Sequence, residues 1–197
     1  MARRTRAAKA EKGKQKTEYA IIAPALFNNK QVGELIGRKD TVINRIIKVA
    51  LNELEDIKAS PLSLYTTVLL RVIELGQGTV KTEFIGHEVA QSYLRSLARK
   101  HRSVIHEVID VNTNDGQKIR LKIVIITLRK VSEVVKKNLR KAAKAFVLKA
   151  ASSKTREELI KSILLDTFAK DLGRELNKIN PVSHVIVRKS EQKIIAA

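Results

Sequence analysis

A glycine-containing stretch is the first place where the residue types of this chain could do chemistry. Residues 33–39 read Gly-Glu-Leu-Ile-Gly-Arg-Lys, which is similar to the loop that cradles phosphates in nucleotide hydrolases. The spacing between the glycines is one residue short, Arg38 precedes Lys39, and Asp40 replaces the hydroxyl side chain needed to bind magnesium. The stretch therefore does not indicate nucleotide hydrolysis. A basic loop that contacts RNA, or a plain surface loop, explains it.

Ionisable side chains elsewhere do not form a recognisable catalytic or metal-binding set. The four histidines are His87, His101, His106 and His184. No two of them have the i, i+4 spacing of helical zinc ligands. The acidic residues Glu53, Glu55 and Asp56 have no nucleophile or base beside them and are typical of a solvated helical turn. We therefore predict a protein that is not an enzyme and has no cofactor or metal, with histidines in the core or in contact with RNA.

The strongest feature of the chain is its positive charge. It has 39 Lys and Arg against 20 Asp and Glu, a formal net charge of +19 over 197 residues. Such self-repulsion destabilises a compact state unless a polyanion or counterions neutralise it. The composition therefore predicts a nucleic-acid-bound protein whose affinity comes mainly from backbone phosphates.

The predicted RNA contacts are the basic residues of the N-terminal tail, the glycine-containing loop, two helices and the last strand. They are Arg3, Arg4, Arg6, Lys9, Lys12, Lys14, Lys16, Arg38, Lys39, Arg95, Arg99, Lys100, Arg102, Lys136, Lys137, Arg140, Lys141, Lys144, Arg188 and Lys189. Two other classes remain open. A DNA-packaging, chromatin-like protein would carry a similar charge, and an RNA-modifying enzyme would need a cofactor or metal pocket that the sequence does not indicate.

The composition also indicates which kinds of site and partner this protein lacks. The chain has no cysteine, which excludes disulfides, thiolate zinc sites and cysteine nucleophiles and suits a cytoplasmic location. It has no apolar run of about 18–20 residues and no apolar core of a secretory signal, so we expect no membrane partner. Trp is absent and there are three Tyr and four Phe. Aromatic platforms for single strands are therefore disfavoured, and contacts with folded, largely duplex RNA are favoured.

The order of polar and apolar segments predicts an α+β fold. Residues 1–18 are almost free of large apolar side chains, so we predict a basic tail that is disordered until it binds RNA. Residues 19–189 form a single domain in this prediction, and residues 190–197 form a short C-terminal tail. The domain begins with a strand over 19–22, a loop over 28–44, a strand over 45–51 and a helical turn over 52–58.

Two hairpins are predicted in the middle of the chain. The first joins strands over 64–75 and 79–85 through Gly76-Gln77-Gly78, a turn that has only two of the three glycines of a dinucleotide-binding fingerprint. The second joins strands over 104–113 and 118–128 through Asn114-Asp115-Gly116, which is a strong hairpin signal. A final strand over 182–188 must return across more than fifty residues to pair with this sheet.

Apolar residues at helical spacing predict helices over 88–100 and 133–151. On the first, Arg95, Arg99 and Arg102 follow one another at i, i+4 and i+7. The second begins after Ser132 and carries a strongly basic outer face. This face fits phosphate contact best, although a merely solvated face or a membrane-surface helix has the same pattern. A capping box from Thr155 to Glu158 opens a further helical stretch to about 179, which we expect Gly173 to bend or divide.

Six segments resemble one known family in their order and spacing. They are 23–27 (Ala-Pro-Ala-Leu-Phe), 84–88 (Phe-Ile-Gly-His-Glu), 93–97 (Tyr-Leu-Arg-Ser-Leu), 109–116 with 119–121, 166–172 and 181–190. Together, from about residue 17 to 191, the chain resembles the S3Ae family of archaeal and eukaryotic small-subunit ribosomal proteins. Because it stops soon after the final strand, we expect an archaeal-type member.

The resemblance implies a β-barrel-like core flanked by helices. It also implies a structural constituent of the small (30S) ribosomal subunit, placed on the platform near the 3′ end of the rRNA and the mRNA exit. The expected partners are the small-subunit rRNA, neighbouring small-subunit ribosomal proteins and mRNA near its exit site, with no small-molecule substrate. The family has no catalytic residues to transfer to this chain.

Overall fold

The computed structural model describes residues 16–54 and 61–192. Its strands are β1 Thr17–Ile22, β2 Gln31–Gly37, β3 Ile46–Ala50, β4 Thr66–Leu75, β5 Thr79–Val89, β6 Val104–Asn112, β7 Lys118–Thr127 and β8 Val182–Gln192. Its α-helices are α1 Lys39–Val42, α2 Leu51–Leu54, α3 Gln91–Leu97, α4 Glu133–Ser153, α5 Arg156–Leu164 and α6 Thr167–Asn177. Short 3-10 turns over Ala25–Phe27 and Pro61–Tyr65 precede β2 and β4.

The predicted α+β class is confirmed, whereas the expectation of a β-barrel-like core is wrong. The strands form an eight-stranded sheet in the order β2-β1-β5-β8-β7-β6, with β4 pairing β5 and β3. Within the described ranges β2 pairs only with β1 and β6 only with β7, so the sheet does not close. Helices α4, α5 and α6 cover the apolar side chains of β6, β7 and β8, and this face is therefore buried without closure.

The chain divides into two compact units. The first contains the described residues up to Ile47 together with Leu70–Phe84. In it, β1 pairs antiparallel with β2 and parallel with the start of β5, around a core that includes Tyr19, Ile21 and Leu35. The loop predicted over 28–44 is wrong, because β2 and α1 lie there. Strand β2 buries only Leu35 and Gly37, so its sequence has too few apolar positions to indicate a strand.

The second unit contains Lys48–Leu69 and the described residues from Ile85 onward. Strands β6 and β7 pair from Val104↔Ile126 to Asn112↔Lys118, which confirms the second predicted hairpin. Strand β8 returns to pair with β7, as expected, and continues to Gln192 instead of ending at 188. The core of this unit joins β6–β8 to the buried faces of α4, α5 and α6. Helix α4 can pack closely on the strands because two of its fully buried residues are alanines, Ala143 and Ala151.

Some of the helix ends agree with the sequence signals that predicted them, and others do not. The capping box is confirmed: the Glu158 backbone N–H donates to Thr155 Oγ1 (3.4 Å), and the Thr155 N–H donates to Glu158 Oε2 (3.2 Å). Ser132 occupies the N-cap position of α4 without a side-chain cap bond. The prediction that Gly173 divides the last helices is wrong, because α5 ends at Leu164 and Asp166 adopts φ 62° before α6.

The predicted tails are outside the described residues at 1–15 and 193–197, and the predicted turn over 52–58 is outside them from residue 55.

A buried histidine links β5 to β8 in the second unit. The backbone carbonyl of Val187 can only accept, so His87 Nε2–H donates to it (3.0 Å). His87 Nδ1 therefore accepts from the Ser190 hydroxyl (2.6 Å), which itself accepts from the His87 backbone N–H (3.2 Å). Burial lowers the pKa of His87 from 6.5 to about 4, although the Val187 bond and Glu88 act in the opposite direction. The neutral ring is a structural link between the strands.

This link predicts acid sensitivity. The unfolded chain takes up a proton at His87 near pH 6.5, whereas the folded protein takes it up only near pH 4. Because the unfolded state binds more protons between these values, the free energy of unfolding falls as pH drops through this window, by roughly 3 kcal/mol from this group. Urea unfolding at pH 7 and pH 4.5 should show the loss, and His87→Gln should reduce it. An undiminished pH dependence in His87→Gln, relative to an exposed control such as His106→Gln, would contradict the assignment.

Candidate nucleic-acid interface

Helix α4 presents a row of cations because its opposite face is buried. Leu139, Ala143 and Val147 are fully buried against the core, which fixes the rotation of the helix. Lys137, Lys141 and Lys144 then lie exposed at i, i+4 and i+7. At 1.5 Å per residue the row is about 10 Å long, which matches two or three successive phosphates. None of the three forms an ion pair with another residue of the described segments.

The other two predicted contacts on α4 are already paired. Lys136 Nζ donates to Glu133 Oε1 at 2.6 Å, and Arg140 Nε lies 3.8 Å from Glu107 Oε2. The hydrogen bond from Lys136, followed by its charge, lowers the pKa of Glu133. A phosphate would have to compete with these carboxylates. The row of Lys137, Lys141 and Lys144 is therefore the part of α4 that is best suited to phosphate contact.

We predicted that the arginines Arg99 and Arg102 lie on a helix, but in the structure they follow α3 and lie outside it. Strand β5 continues to Val89, and α3 spans only Gln91–Leu97. Arg95 is exposed on the helix, while Arg99 and Lys100 are exposed in the turn that follows it. His101 adopts φ 67° in this turn, which redirects the chain toward β6. The turn brings Arg99 and Arg102 near His184, which lies at the start of β8.

The pKa of His184 reports this proximity. Burial lowers it most, and the charges of Arg102 and Arg99 lower it further. A histidine whose pKa is lowered in part by two arginines lies in a region of positive potential, which an anion would relieve. Sequence spacing could not reveal this group, because His184 is more than eighty residues away from the arginines.

The remaining predicted contacts are scattered over the two units. Arg38 and Lys39 are exposed at the start of α1, in the first unit, and Lys16 is exposed just before β1. Arg3, Arg4, Arg6, Lys9, Lys12 and Lys14 lie outside the described residues. Arg188 and Lys189 are half-buried near the end of β8.

Lys189 belongs to a small ion cluster. Lys189 Nζ lies 2.8 Å from Glu191 Oε1, and Lys122 Nζ lies 3.1 Å from the same oxygen. The hydrogen bond from Lys189 is the largest cause of the lowered pKa of Glu191. Lys189 is therefore already paired with a carboxylate, which it shares with Lys122, and it is a weaker candidate for RNA contact than the α4 row.

Two cations on α6 were missed. Lys170 and Arg174 lie at i, i+4 on the exposed side of α6 and line a cleft beside the start of β8. The i, i+4 spacing is a usable signal, but the cleft depends on how α6 packs against β8. In the described part of the chain, no group of three or more His, Asp or Glu side chains could hold a metal ion. No helix there is long and apolar enough to span a bilayer.

The chain is similar to one family of known proteins. The model of the ribosomal S3Ae family matches residues 4–194. The small ribosomal subunit protein eS1 of Methanothrix thermoacetophila is 31% identical over 192 residues, which cover 97% of this chain and 89% of the relative. The eS1 protein of Archaeoglobus fulgidus is 30% identical over 193 residues (97% and 91%), and that of Desulfurococcus amylolyticus 29% over 196 residues (99% and 91%).

Proposed function

This chain belongs to the ribosomal S3Ae family, and on that premise we propose that it binds small-subunit rRNA and helps to hold the platform of the 30S subunit. Membership of this family identifies it as a structural constituent of the cytoplasmic ribosome and not as an enzyme. We place its binding site near the 3′ end of the rRNA and the mRNA exit. Neighbouring small-subunit proteins, and mRNA at its exit, are the other partners in this proposal.

The observation that carries the proposal is the row of lysines on α4, which form no ion pair with another described residue. Each ammonium group that approaches a phosphate displaces condensed counterions, and their release supplies favourable entropy. The rigid helix holds Lys137, Lys141 and Lys144 along one line, so little backbone conformational entropy is lost on binding. The arginines around the α3–β6 turn add a second group of cations in the same unit.

Replacement of Arg95, Arg99 and Lys100 by Gln tests the second group. All three side chains are exposed, so we expect the thermal unfolding followed by circular dichroism to stay nearly unchanged. The affinity for a small-subunit rRNA transcript should fall by about tenfold or more, and the salt dependence should become shallower. A large loss of thermal stability would instead show that these residues are structural.

Duplex DNA separates the proposal from the DNA-packaging alternative. At a fixed salt concentration, we expect rRNA to compete for the protein far better than duplex DNA of equal charge, because folded rRNA arranges its phosphates in a specific geometry. Filter binding with each nucleic acid as competitor gives the ratio. Equal affinity, together with recovery on chromosomal DNA, would favour the alternative.

A further inference from the structure

Tyr65 and Tyr93 form a stacked pair of rings at the surface of the second unit. Their ring centroids lie 4.6 Å apart, and the two ring planes differ by 17°. All seven Phe and Tyr of the chain are among the described residues, and Tyr65 is the only exposed one, with 43% of its surface accessible. Because Tyr93 covers one face of the Tyr65 ring, the accessible part of this ring is its opposite face and its edge.

The fold holds both rings of this pair in place. Tyr65 ends a 3-10 turn, and its backbone carbonyl accepts from the N–H of Ala90 (2.8 Å), directly before α3. Tyr93 lies on α3 and packs against an apolar cluster that includes Leu94 and Ile186. Since the rings are already ordered, little conformational entropy is lost when a ligand stacks on them.

An exposed aromatic ring that is fixed in this way suits a nucleobase. Every base has a flat π-face, and stacking on an aromatic side chain stabilises the complex whatever the base. Burial raises the pKa of Tyr93 most, and the charge of Asp166 raises it further, so a carboxylate lies near the stacked pair. A carboxylate repels a phosphate, but it accepts a hydrogen bond from the amino group of a neutral base. These surroundings therefore favour a base over a phosphate at this position.

Cations for the attached backbone lie along the same part of the chain. Arg95 is exposed on α3, and Arg99 and Lys100 are exposed in the turn that follows it. At 1.5 Å per residue, Arg99 lies about 10 Å from Tyr93 along the direction of α3. The long side chains of these cations can bridge this span to the phosphates that flank a stacked base.

We propose that the exposed face of Tyr65 is a stacking surface for one unpaired base of the rRNA. The inference rests on the proposed function and adds a contact of different chemistry to the neutralisation of phosphates. The small number of aromatic residues disfavours a series of such surfaces, but a single base needs only one exposed ring. The base must be unpaired, because a base inside a duplex presents only its edges to the grooves.

The test compares variants of the full chain in their affinity for a small-subunit rRNA transcript. Tyr65→Leu keeps an apolar side chain but removes the ring, and it should lose about tenfold in affinity, whereas Tyr65→Phe should bind as the wild type does. The ring is uncharged, so Tyr65→Leu should keep the wild-type slope of log affinity against log salt. The matched control is Leu128→Ala, which shortens an apolar side chain that is 51% exposed in the same unit and should keep full affinity.

A second measurement keeps an aromatic ring at the site. The chain has no Trp, so Tyr65→Trp introduces a single fluorescent reporter that itself stacks on bases. Binding of the rRNA transcript should quench its emission. In the control Leu128→Trp the emission should change little. Thermal unfolding followed by circular dichroism gives the temperature range in which all variants are folded, and both measurements are made there.

The outcomes separate this inference from the proposed function. If the wild type does not bind rRNA, both fail. If it binds, but Tyr65→Leu binds equally well or Tyr65→Trp is quenched no more than its control, the stacking surface is overturned and the proposed function stands. A shallower salt slope in Tyr65→Leu also overturns it, because the substitution would then act through the cations.

A neighbouring protein is the alternative occupant of this surface. Leu64, next to Tyr65, is 67% exposed and would suit an apolar side chain of such a partner. If Tyr65→Leu keeps full affinity for the rRNA transcript but is retained less well in 30S particles, the surface belongs to a protein contact and the stacking of a base is overturned.

Discussion

Gly86→Ala is expected to lower the free energy of unfolding by about 4 kcal/mol or more, an exceptional loss for the addition of one methyl group. A Cβ at Gly86 would overlap the carbonyl oxygen of Ser190 and lie 3.0 Å from its carbonyl carbon. Both strands are fixed here, because Gly86 pairs with Glu191 and His87 pairs with Ser190. The methyl group can be accommodated only if β5 and β8 separate, which would also break the bonds of the His87 ring to Ser190 and Val187.

Gly173→Ala is the matched control for this substitution. It adds the same methyl group in the interior of α6, where the nearest atom would be Val185 Cγ2 at an ordinary contact distance of 3.7 Å. Alanine favours a helix over glycine, so this variant should gain up to about 1 kcal/mol. Urea unfolding at pH 7 measures both variants. A loss below about 1 kcal/mol for Gly86→Ala would show that β5 and β8 do not approach as closely as described.

Replacement of Lys137, Lys141 and Lys144 by Gln is expected to weaken rRNA binding by about a hundredfold near physiological salt. Each of these lysines that contacts a phosphate contributes about one unit to the slope of log affinity against log salt. The slope should therefore become shallower by about three units. Because the three side chains are exposed on one face of α4 and form no ion pair with another described residue, the stability of the fold should hardly change.

The control removes three lysines that are already paired with carboxylates. Lys81 lies 2.9 Å from Glu74, Lys122 lies 3.1 Å from Glu191, and Lys178 lies 2.7 Å from Glu175. Their replacement by Gln lowers the net charge by the same amount as the α4 variant. If this control weakens rRNA binding as much as the α4 variant does, net charge alone explains the affinity, and the row on α4 has no special role.

The sequence predicts best those elements whose signals are local. The hairpin of β6 and β7 agrees with the prediction to within one residue at every strand end, because alternating side chains and the Asn114-Asp115-Gly116 turn both specify it. The capping box at Thr155 is equally local. The basic face of α4 could be read from its spacing alone, since the opposite face had to be buried.

Features that depend on long-range pairing could not be predicted in this way. Strand β5 extends through Gly86 and His87 to Val89, and its end pairs with β8, about one hundred residues further along the chain. Because β5 is longer than predicted, α3 is shorter, and Arg99 and Arg102 lie in a turn near His184 instead of on the predicted helical face. The ion pairs of Arg140 with Glu107 and of Lys122 with Glu191 also join distant elements. The cleft beside α6 is missed for the same reason.

Sedimentation with ribosomal particles tests the central claim most directly. If the chain is held on small-subunit rRNA by cation–phosphate contacts, tagged protein in a low-salt lysate should co-sediment with 30S particles at one copy per particle. It should dissociate as the salt concentration rises, and the Lys137/Lys141/Lys144 variant should dissociate at a lower concentration than the wild type. Protein that stays at the top of the low-salt gradient, or that sediments with chromosomal DNA, would contradict the account.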